Sequence, residues 1–308
     1  MQRTHRLALL AAPLLLLAAC SSGSDDSAQV TPAADSTTDS TAESMSGDVN
    51  AGMDDAMKDT ADAGHGDDGH DHDHDHGAAG SGTKPTVDGF TIKPMTASFD
   101  AGYSGEFAFS IVLEGTETAV TEFEVHHEKE MHLILVNHEL TQYLHLHPER
   151  DADGVWRTPV SFPVDGFWRV VADFVADGKA VILGTDVVVG STPMTMSNFT
   201  EEIRTAVSGP YTAELVGDTA HEGSRPLKVV FTRDGAPVTS VNPYLGANAH
   251  LVAFSPALEY VHMHPNDGFV GGTMTFTAPA MGHSFYKLFL QADFDGEIRL
   301  FEFVLEGK

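Results

Sequence analysis

Short apolar runs separated by polar residues dominate the chain from residue 86 to its end. The runs are rich in Val, Ile, Phe and Leu, and Gly, Asp and Pro separate them at intervals typical of antiparallel sheets. Long helical periodicity is absent from this region. The pattern predicts an all-β fold, with strands that include residues 106–113, 131–136, 167–174, 227–232 and 297–305.

The apolar pattern occurs twice. Met-His-Leu-Ile-Leu-Val at 131–136, followed by Tyr-Leu-His-Leu-His-Pro at 143–148, has a counterpart at 249–254 and 260–265. The turn between the two segments differs by one residue, yet the flanking strands stay in phase. So much shared order indicates two copies of one domain rather than a single barrel.

The boundary between the copies falls near residues 190–196, where Gly, Ser, Thr and Pro interrupt the apolar pattern. We therefore predict two tandem β-sandwich domains of immunoglobulin size, at 86–192 and 193–308.

Each copy carries three histidines that strand geometry brings to one face of a hairpin. Residues two apart in a strand point to the same side, so the two histidines of each His-x-His-Pro motif share a face. Folding the hairpin at its turn brings the preceding histidine roughly opposite, in the first copy His132 opposite His145. The predicted metal ligands are His132, His145 and His147 in the first copy and His250, His262 and His264 in the second.

Three neutral imidazoles within that reach suit Zn²⁺ or Cu²⁺. Nearby thioethers favour copper, with zinc as the alternative, although strand parity places Met131 and Met263 on the core side. His126, His127, Met281 and His283 are further nearby donors. The competing interpretation is that the hairpin histidines are structural residues carried through the duplication.

Residues 20–85 form a predicted disordered, acidic linker, because they lack the large apolar side chains that would offset ordering entropy. A histidine-rich tract lies within it, spaced by aspartates that raise the local cation concentration. Imidazole must be deprotonated to bind metal, so uptake by the tract should fade near and below about pH 6. The alternative is a solvated linker without a specific role. The tract histidines are His65, His70, His72, His74 and His76.

The first 19 residues have the features of a signal peptide. Arg3 and Arg6 precede an apolar run that is too short to span a bilayer. The run ends in Leu-Ala-Ala-Cys, which resembles the bacterial lipobox and predicts lipidation of Cys20, the single cysteine of the chain. We therefore expect a protein anchored by lipid to the extracytoplasmic face of the cell membrane. The alternative is an ordinary signal peptide with a chance cysteine.

The formal net charge is −28. A surface this acidic repels phosphate backbones, which argues against nucleic acid as a partner and suits a protein that attracts cations.

The pattern His-Leu, then His-x-His-Pro, then an aromatic-basic strand such as Phe-Trp-Arg at 167–169 resembles YtkA-like secreted domains associated with copper or heavy-metal handling. Such domains are similar to immunoglobulin-like or cupredoxin-like sandwiches, and the resemblance implies extracytoplasmic metal binding or delivery. The chain also resembles CopC-like copper carriers in size and architecture. It departs from them because the predicted mature N-terminus is lipidated Cys20 rather than a free histidine.

Three functions remain in competition. The leading hypothesis is a metal-binding protein that captures, buffers or delivers ions, with a metal-recipient protein as a possible partner. The second is a cell-surface protein-interaction module with structural histidines. The third, a zinc hydrolase with Glu128, Glu130 or Asp173 as base, is the least favoured, because the second copy has Gln291 where the first has Asp173. We therefore expect a binding protein rather than an enzyme.

Overall fold

Every regular element that the structure describes is a β-strand, which confirms the predicted all-β fold. The computed structural model describes residues 80–266 and 268–308, and these belong to one compact unit. Within these residues no helix is long and apolar enough to cross a membrane. The predicted signal peptide, the predicted lipidation site at Cys20 and the histidine-rich tract lie outside the described residues.

The first domain contains ten strands. They are β1 (Thr86–Val87), β2 (Phe90–Pro94), β3 (Ser98–Phe99), β4 (Ser104–Leu113), β5 (His132–Asn137), β6 (Tyr143–Leu146), β7 (Glu149–Arg150), β8 (Val155–Ser161), β9 (Gly166–Ala176) and β10 (Lys179–Val189).

The second domain contains the remaining strands of the described chain. They are β11 (Thr205–Ser208), β12 (Tyr211–Val216), β13 (Ser224–Arg233), β14 (Ala236–Pro237), β15 (His250–Phe254), β16 (Tyr260–Met263), β17 (Thr273–Pro279), β18 (Phe285–Phe294) and β19 (Glu297–Glu306).

Each domain is a sandwich of an outer and an inner sheet. In the first domain the outer sheet has the order β1-β2-β4-β8-β7 and the inner sheet the order β3-β10-β9-β5-β6. In the second domain the outer sheet contains β11, β12 and β13, with β14 and β17 also paired to β13, and the inner sheet has the order β16-β15-β18-β19. A separate apolar core fills each sandwich, as alternation along the strands predicts.

A third apolar cluster joins the two inner sheets to each other. Ile134 and Val136 of β5 lie in this cluster with Val252 and Phe254 of β15. At its edge the ring of Tyr143 stacks on Phe289, with ring centroids 4.5 Å apart, so the two domains share a packed interface. Strands β5 and β15 are buried at every position because one face lines the domain core and the other lines this interface.

The two hairpins carry their histidines on the interface side. Ile134 pairs with His145 in the β5–β6 hairpin, and Val252 pairs with His262 in the β15–β16 hairpin. His132 is therefore diagonal to His145 rather than opposite it, a shift of two residues from the predicted pairing. The turn between these strands contains Leu140, which has a left-handed φ of 54°. Because the shift is even, the predicted face is unchanged.

The segment that leads into the first domain also crosses this interface. The carbonyl of Ser81 accepts a hydrogen bond of 2.8 Å from the backbone N–H of Tyr260, and the carbonyl of Lys84 accepts one of 2.8 Å from Gly184. Both residues belong to the stretch assigned to the linker from sequence, so the chain joins the folded unit before residue 86. The backbone of Gly82 lies so close to Gly184 that a Cβ at position 184 would stand 1.6 Å from the Gly82 oxygen.

We predict that Gly184→Ala destabilises the protein, because the added methyl group would force the crossing segment away from β10. The expected loss in free energy of unfolding is about 1–3 kcal/mol, the usual cost of overpacking, and denaturant titration of the full chain measures it. Gly282→Ala is the matched control, since its Cβ would meet nothing closer than 3.7 Å. Equal stability of the two variants would contradict the close approach of Gly82 to β10.

Candidate metal centre

Each hairpin gathers three imidazoles into a compact group. One nitrogen from each of His132, His145 and His147 lies within 4.8 Å of the others, and the same holds for His250, His262 and His264. We call these groups the first and second triads. The structure thus brings together both sets of hairpin histidines that the sequence indicated, and each triad could hold a metal ion.

A tight turn orients the first histidine of each triad. His126 and Lys129 close a turn through mutual backbone hydrogen bonds, and the carbonyl of His126 also accepts a hydrogen bond of 3.1 Å from Nε2 of His132. In the second domain the carbonyl of Tyr244 accepts one of 3.0 Å from Nε2 of His250. A carbonyl can only accept, so Nε2 carries the proton and Nδ1 of each histidine is a free lone pair.

Both turns use left-handed backbone to aim these carbonyls. Their central residues have positive φ, 50° at His127 and 65° at Glu128 in the first turn and 52° at Leu245 and 74° at Gly246 in the second. Three of the four are not glycine, and a left-handed conformation costs such residues on the order of 1 kcal/mol each. The repeated strain is consistent with turns that are held in place to support the triads.

In the first triad, two lone pairs face each other. Nδ1 of His145 donates a hydrogen bond of 2.9 Å to Oε1 of Gln291, a residue of the other domain. That bond leaves Nε2 of His145 without a proton, 3.1 Å from the lone pair on Nδ1 of His132. Nε2 of His147 is buried and has no hydrogen-bond partner among the described residues. A bound cation would satisfy all three nitrogens.

The second triad repeats the arrangement with a carboxylate as the outer partner. Nδ1 of His262 is 3.2 Å from Oδ2 of Asp173 in the first domain, and the hydroxyl of Tyr260 donates to the same oxygen over 3.0 Å. Nδ1 of His250 then lies 3.3 Å from Nε2 of His262 and 3.0 Å from Nε2 of His264.

These separations match the geometry of a metal site. Two nitrogens bound to one tetrahedral ion at about 2.0–2.1 Å lie about 3.3 Å apart. The closest nitrogen pairs in the triads are 3.0–3.3 Å apart. Little movement is therefore needed for the imidazoles to bind an ion.

Burial keeps the triad imidazoles neutral, which is the form that binds metal. Desolvation lowers the pKa of all six, with neighbouring imidazoles adding to the effect, and it brings the pKa of His147 and of His250 to about 3. Desolvation also raises the pKa of Asp173, which the nearby His132 partly opposes.

The two triads lie beside each other in the domain interface. The rings of His145 and His250 have centroids 5.6 Å apart, and those of His132 and His262 are 5.8 Å apart. A surface cleft of about 680 Å³ reaches His147. A second cleft, of about 570 Å³, reaches His264 and is lined by His126 and His127 as well, so one histidine of each triad borders a cleft of its own.

The other donors that lie near the triads in sequence are not among the triad ligands. Met131, Met263 and Met281 pack in the apolar cores, as strand parity predicts for the first two, so their thioethers do not contribute to the triads. His283 lies beside His221, with ring centroids 4.7 Å apart, and is not part of either triad. His127 packs on His264 of the second triad, with ring centroids 3.7 Å apart.

Four residues that support the triads were not assigned this role from sequence. They are Asp173 and Gln291, which contact the outer nitrogens of histidines in the opposite domain, and His126 and Tyr244, which act through their carbonyls. Asp173 pairs with His132 and Gln291 with His250 in the strand register. Their equivalence was visible in the repeat, but their contacts depend on the packing of the two domains.

We predict that the metal-free protein loses stability as the pH falls below about 6.5. Unfolded histidines titrate near 6.5, whereas those at positions 147 and 250 have a pKa of about 3 in the folded state. Their stabilising contribution is complete above pH 6.5 and disappears as the pH falls toward 3. Denaturant unfolding with a chelator present, between about pH 4.5 and 7, measures the slope of unfolding free energy against pH.

The control for this experiment is the double variant His147→Ala, His250→Ala. It shares all carboxylates with the native chain, so its slope should be shallower by the contribution of the two imidazoles and of their effect on neighbouring histidines. Identical slopes would show that these histidines are not desolvated.

Comparisons with known proteins give one family and distant structural likenesses. No curated protein matches the sequence. Salmonella alpha-2-macroglobulin reacted with methylamine has a TM-score of 0.24 and 14% identity over 75% of this chain and 15% of its own. The Escherichia coli adhesin FdeC has a TM-score of 0.22 and 16% identity, over 74% of this chain and 65% of its own. A DUF4785 family protein from Legionella pneumophila has a TM-score of 0.23 and 9% identity, over 68% of this chain and 53% of its own. The chain thus spans 15–65% of these proteins' lengths, and at such scores they carry no argument about function.

One family model matches the chain twice, at residues 85–190 and 205–308. The two matches coincide with the two sandwiches and confirm the internal repeat that the sequence indicated. The chain therefore belongs to the family described as a domain of unknown function, DUF8832, and contains two copies of its domain.

Proposed function

We propose that the protein binds transition-metal ions at the two triads and serves in their capture, buffering or delivery. The observation that carries this proposal is the pair of opposed lone pairs in the first triad, on His132 and His145, 3.1 Å apart and each fixed by an acceptor on its outer nitrogen. Two such lone pairs repel each other unless a cation lies between them. Outer hydrogen bonds of this kind are what metal-bound histidines use to fix their orientation.

Copper is the favoured ion and zinc the alternative. With the methionines in the cores, the donor set is nitrogen alone, so the preference no longer rests on thioethers. Among divalent first-row ions, Cu²⁺ binds nitrogen ligands most tightly. Zn²⁺ is the alternative because three imidazoles and one further ligand complete its usual tetrahedron.

The triads belong to a chain that carries a second metal-binding segment and, on the lipobox pattern, a membrane anchor at Cys20. Five residues after His76, Ser81 contacts Tyr260, which lies two residues before His262. Covalent geometry limits the distance from His76 to Ser81 to about 18 Å. The proposed path therefore runs from the tract to the triads and on to a recipient protein, at the extracytoplasmic face of the membrane.

A binding role accounts for Asp173 better than a hydrolytic one. Its Oδ2 accepts one hydrogen bond from the hydroxyl of Tyr260 and one from Nδ1, the outer nitrogen, of His262. A general base needs a free lone pair directed at the attacking water. We therefore assign Asp173 to the support of a ligand and propose no catalytic residue.

The first test counts ions in a tract-silenced chain, in which every tract histidine is replaced by alanine. We expect two Cu²⁺ or Zn²⁺ ions per chain, one for each triad. His145→Ala with His147→Ala should remove one of them, because a single imidazole cannot hold the ion. Isothermal titration and elemental analysis of the full chain give the stoichiometry.

The control pair is His221→Ala with His283→Ala. These two histidines also lie side by side but are exposed and outside the triads, so the stoichiometry should stay at two. Binding that is unchanged by loss of His145 and His147 would favour the alternative of a protein-interaction module with structural histidines.

The second test measures stability with and without metal. An ion that binds only the folded state at a free concentration of 100 times its dissociation constant adds about 2.7 kcal/mol to the free energy of unfolding. We expect Zn²⁺ to raise the melting temperature of the tract-silenced chain and a chelator to reverse the rise. A melting temperature that does not respond to either would contradict ion binding by the folded domains.

A further inference from the structure

The two triads take their outer support from each other's domain. His145 of the first domain donates to Gln291 of the second, over 2.9 Å, and His262 of the second contacts Asp173 of the first, over 3.2 Å. Asp173 and Gln291 occupy the same position of the repeat, because each pairs in register with the first histidine of its own triad. Each domain supplies all three imidazoles of its own triad but takes one supporting side chain from the other domain.

The two supporting residues differ in charge although they occupy equivalent positions. The amide of Gln291 orients His145 but brings no charge. The carboxylate of Asp173 can orient His262 and also make its imidazole a stronger donor to a cation. The side chains of His262 and Asp173 are 4% and 15% exposed, so water screens the interaction of the carboxylate with a nearby ion only weakly.

A second difference between the triads also favours tighter ion binding at the second triad. The ring of His127, from the turn of the first domain, packs against His264 of the second triad. The equivalent position in the second domain is Leu245, which has no lone pair to offer an ion. The His127 ring thus lies closer to the second triad than to the first, where its centroid is 6.3 Å from that of His132.

We infer that the two sites are unequal: the second triad is the tight site and the first is the exchangeable one. This inference rests on the proposed metal binding and adds a division of labour to it. An ion would fill the site backed by Asp173 first. The second ion then enters the same interface against the repulsion of the first, which weakens its binding further and suits the first triad to passing its ion on.

The test uses isosteric substitutions that change the charge and keep the shape. Zn²⁺ is titrated into the full-length, tract-silenced chain in competition with a chelator of known affinity. His145→Ala with His147→Ala isolates the second triad, and His262→Ala with His264→Ala isolates the first, because each pair leaves a single imidazole in the other triad. In these two backgrounds, Asp173→Asn removes the carboxylate and Gln291→Glu adds one.

With the second triad isolated, Asp173→Asn should weaken Zn²⁺ binding about 10–100-fold, the usual effect of changing an outer partner. With the first triad isolated, the same substitution should weaken binding less, because Asp173 contacts His262 directly and acts on the first triad only through its charge near His132. Gln291→Glu should strengthen the first triad. A gain in affinity is the decisive readout, because a substitution that merely disturbed the fold would not produce it.

The results distinguish a failure of this inference from a failure of the proposed metal binding. Two ions bound with equal affinity in the tract-silenced chain, or a second triad indifferent to Asp173→Asn, would overturn the inference and leave the proposed function in place. No Zn²⁺ binding in any background would overturn the proposed function, and this inference with it.

Discussion

The structure depends on one constraint: six imidazoles are held between two apolar sheets, and their nitrogens need partners there. The outer nitrogens of four of the imidazoles find partners in turn carbonyls and in side chains of the opposite domain. The inner nitrogens converge on each other at 3.0–3.3 Å. Because burial also keeps these rings neutral, the interface could hold a metal ion more readily than additional protons.

The same constraint explains the conformations around the triads. Two strained turns bring the carbonyls of His126 and Tyr244 to the first histidines, and two hairpins bring the His-x-His pairs to the same place. The apolar cluster beside them keeps the domains together. Loosening that cluster would therefore disturb the hydrogen bonds that cross the interface as well as the packing.

Much of the fold and of the histidine site could be predicted from the sequence, and there is a physical reason why the remaining features could not. Period-two alternation and the repeat determine the strands, the two domains and the face that each histidine shares. The predicted pairing inside the hairpin was two residues off, because the register depends on the conformation of the turn, and a leucine at position 140 does not indicate the left-handed backbone found there. The sequence did indicate the interface between the domains: strand β5 is apolar almost throughout, which is typical of strands buried on both faces. The roles of Asp173 and Gln291 could not be predicted from the sequence, because they depend on the packing of one domain against the other.

The reciprocal contacts across the interface relate the two domains as two subunits of a symmetric dimer would be related. In a dimer of identical chains, one substitution alters both sites at once, so the sites must remain equal. A single chain that contains both copies is free of that restriction, because aspartate can stand in one copy while glutamine stands in the other. Duplication within one polypeptide thus allows a pair of matched sites to become specialised one residue at a time.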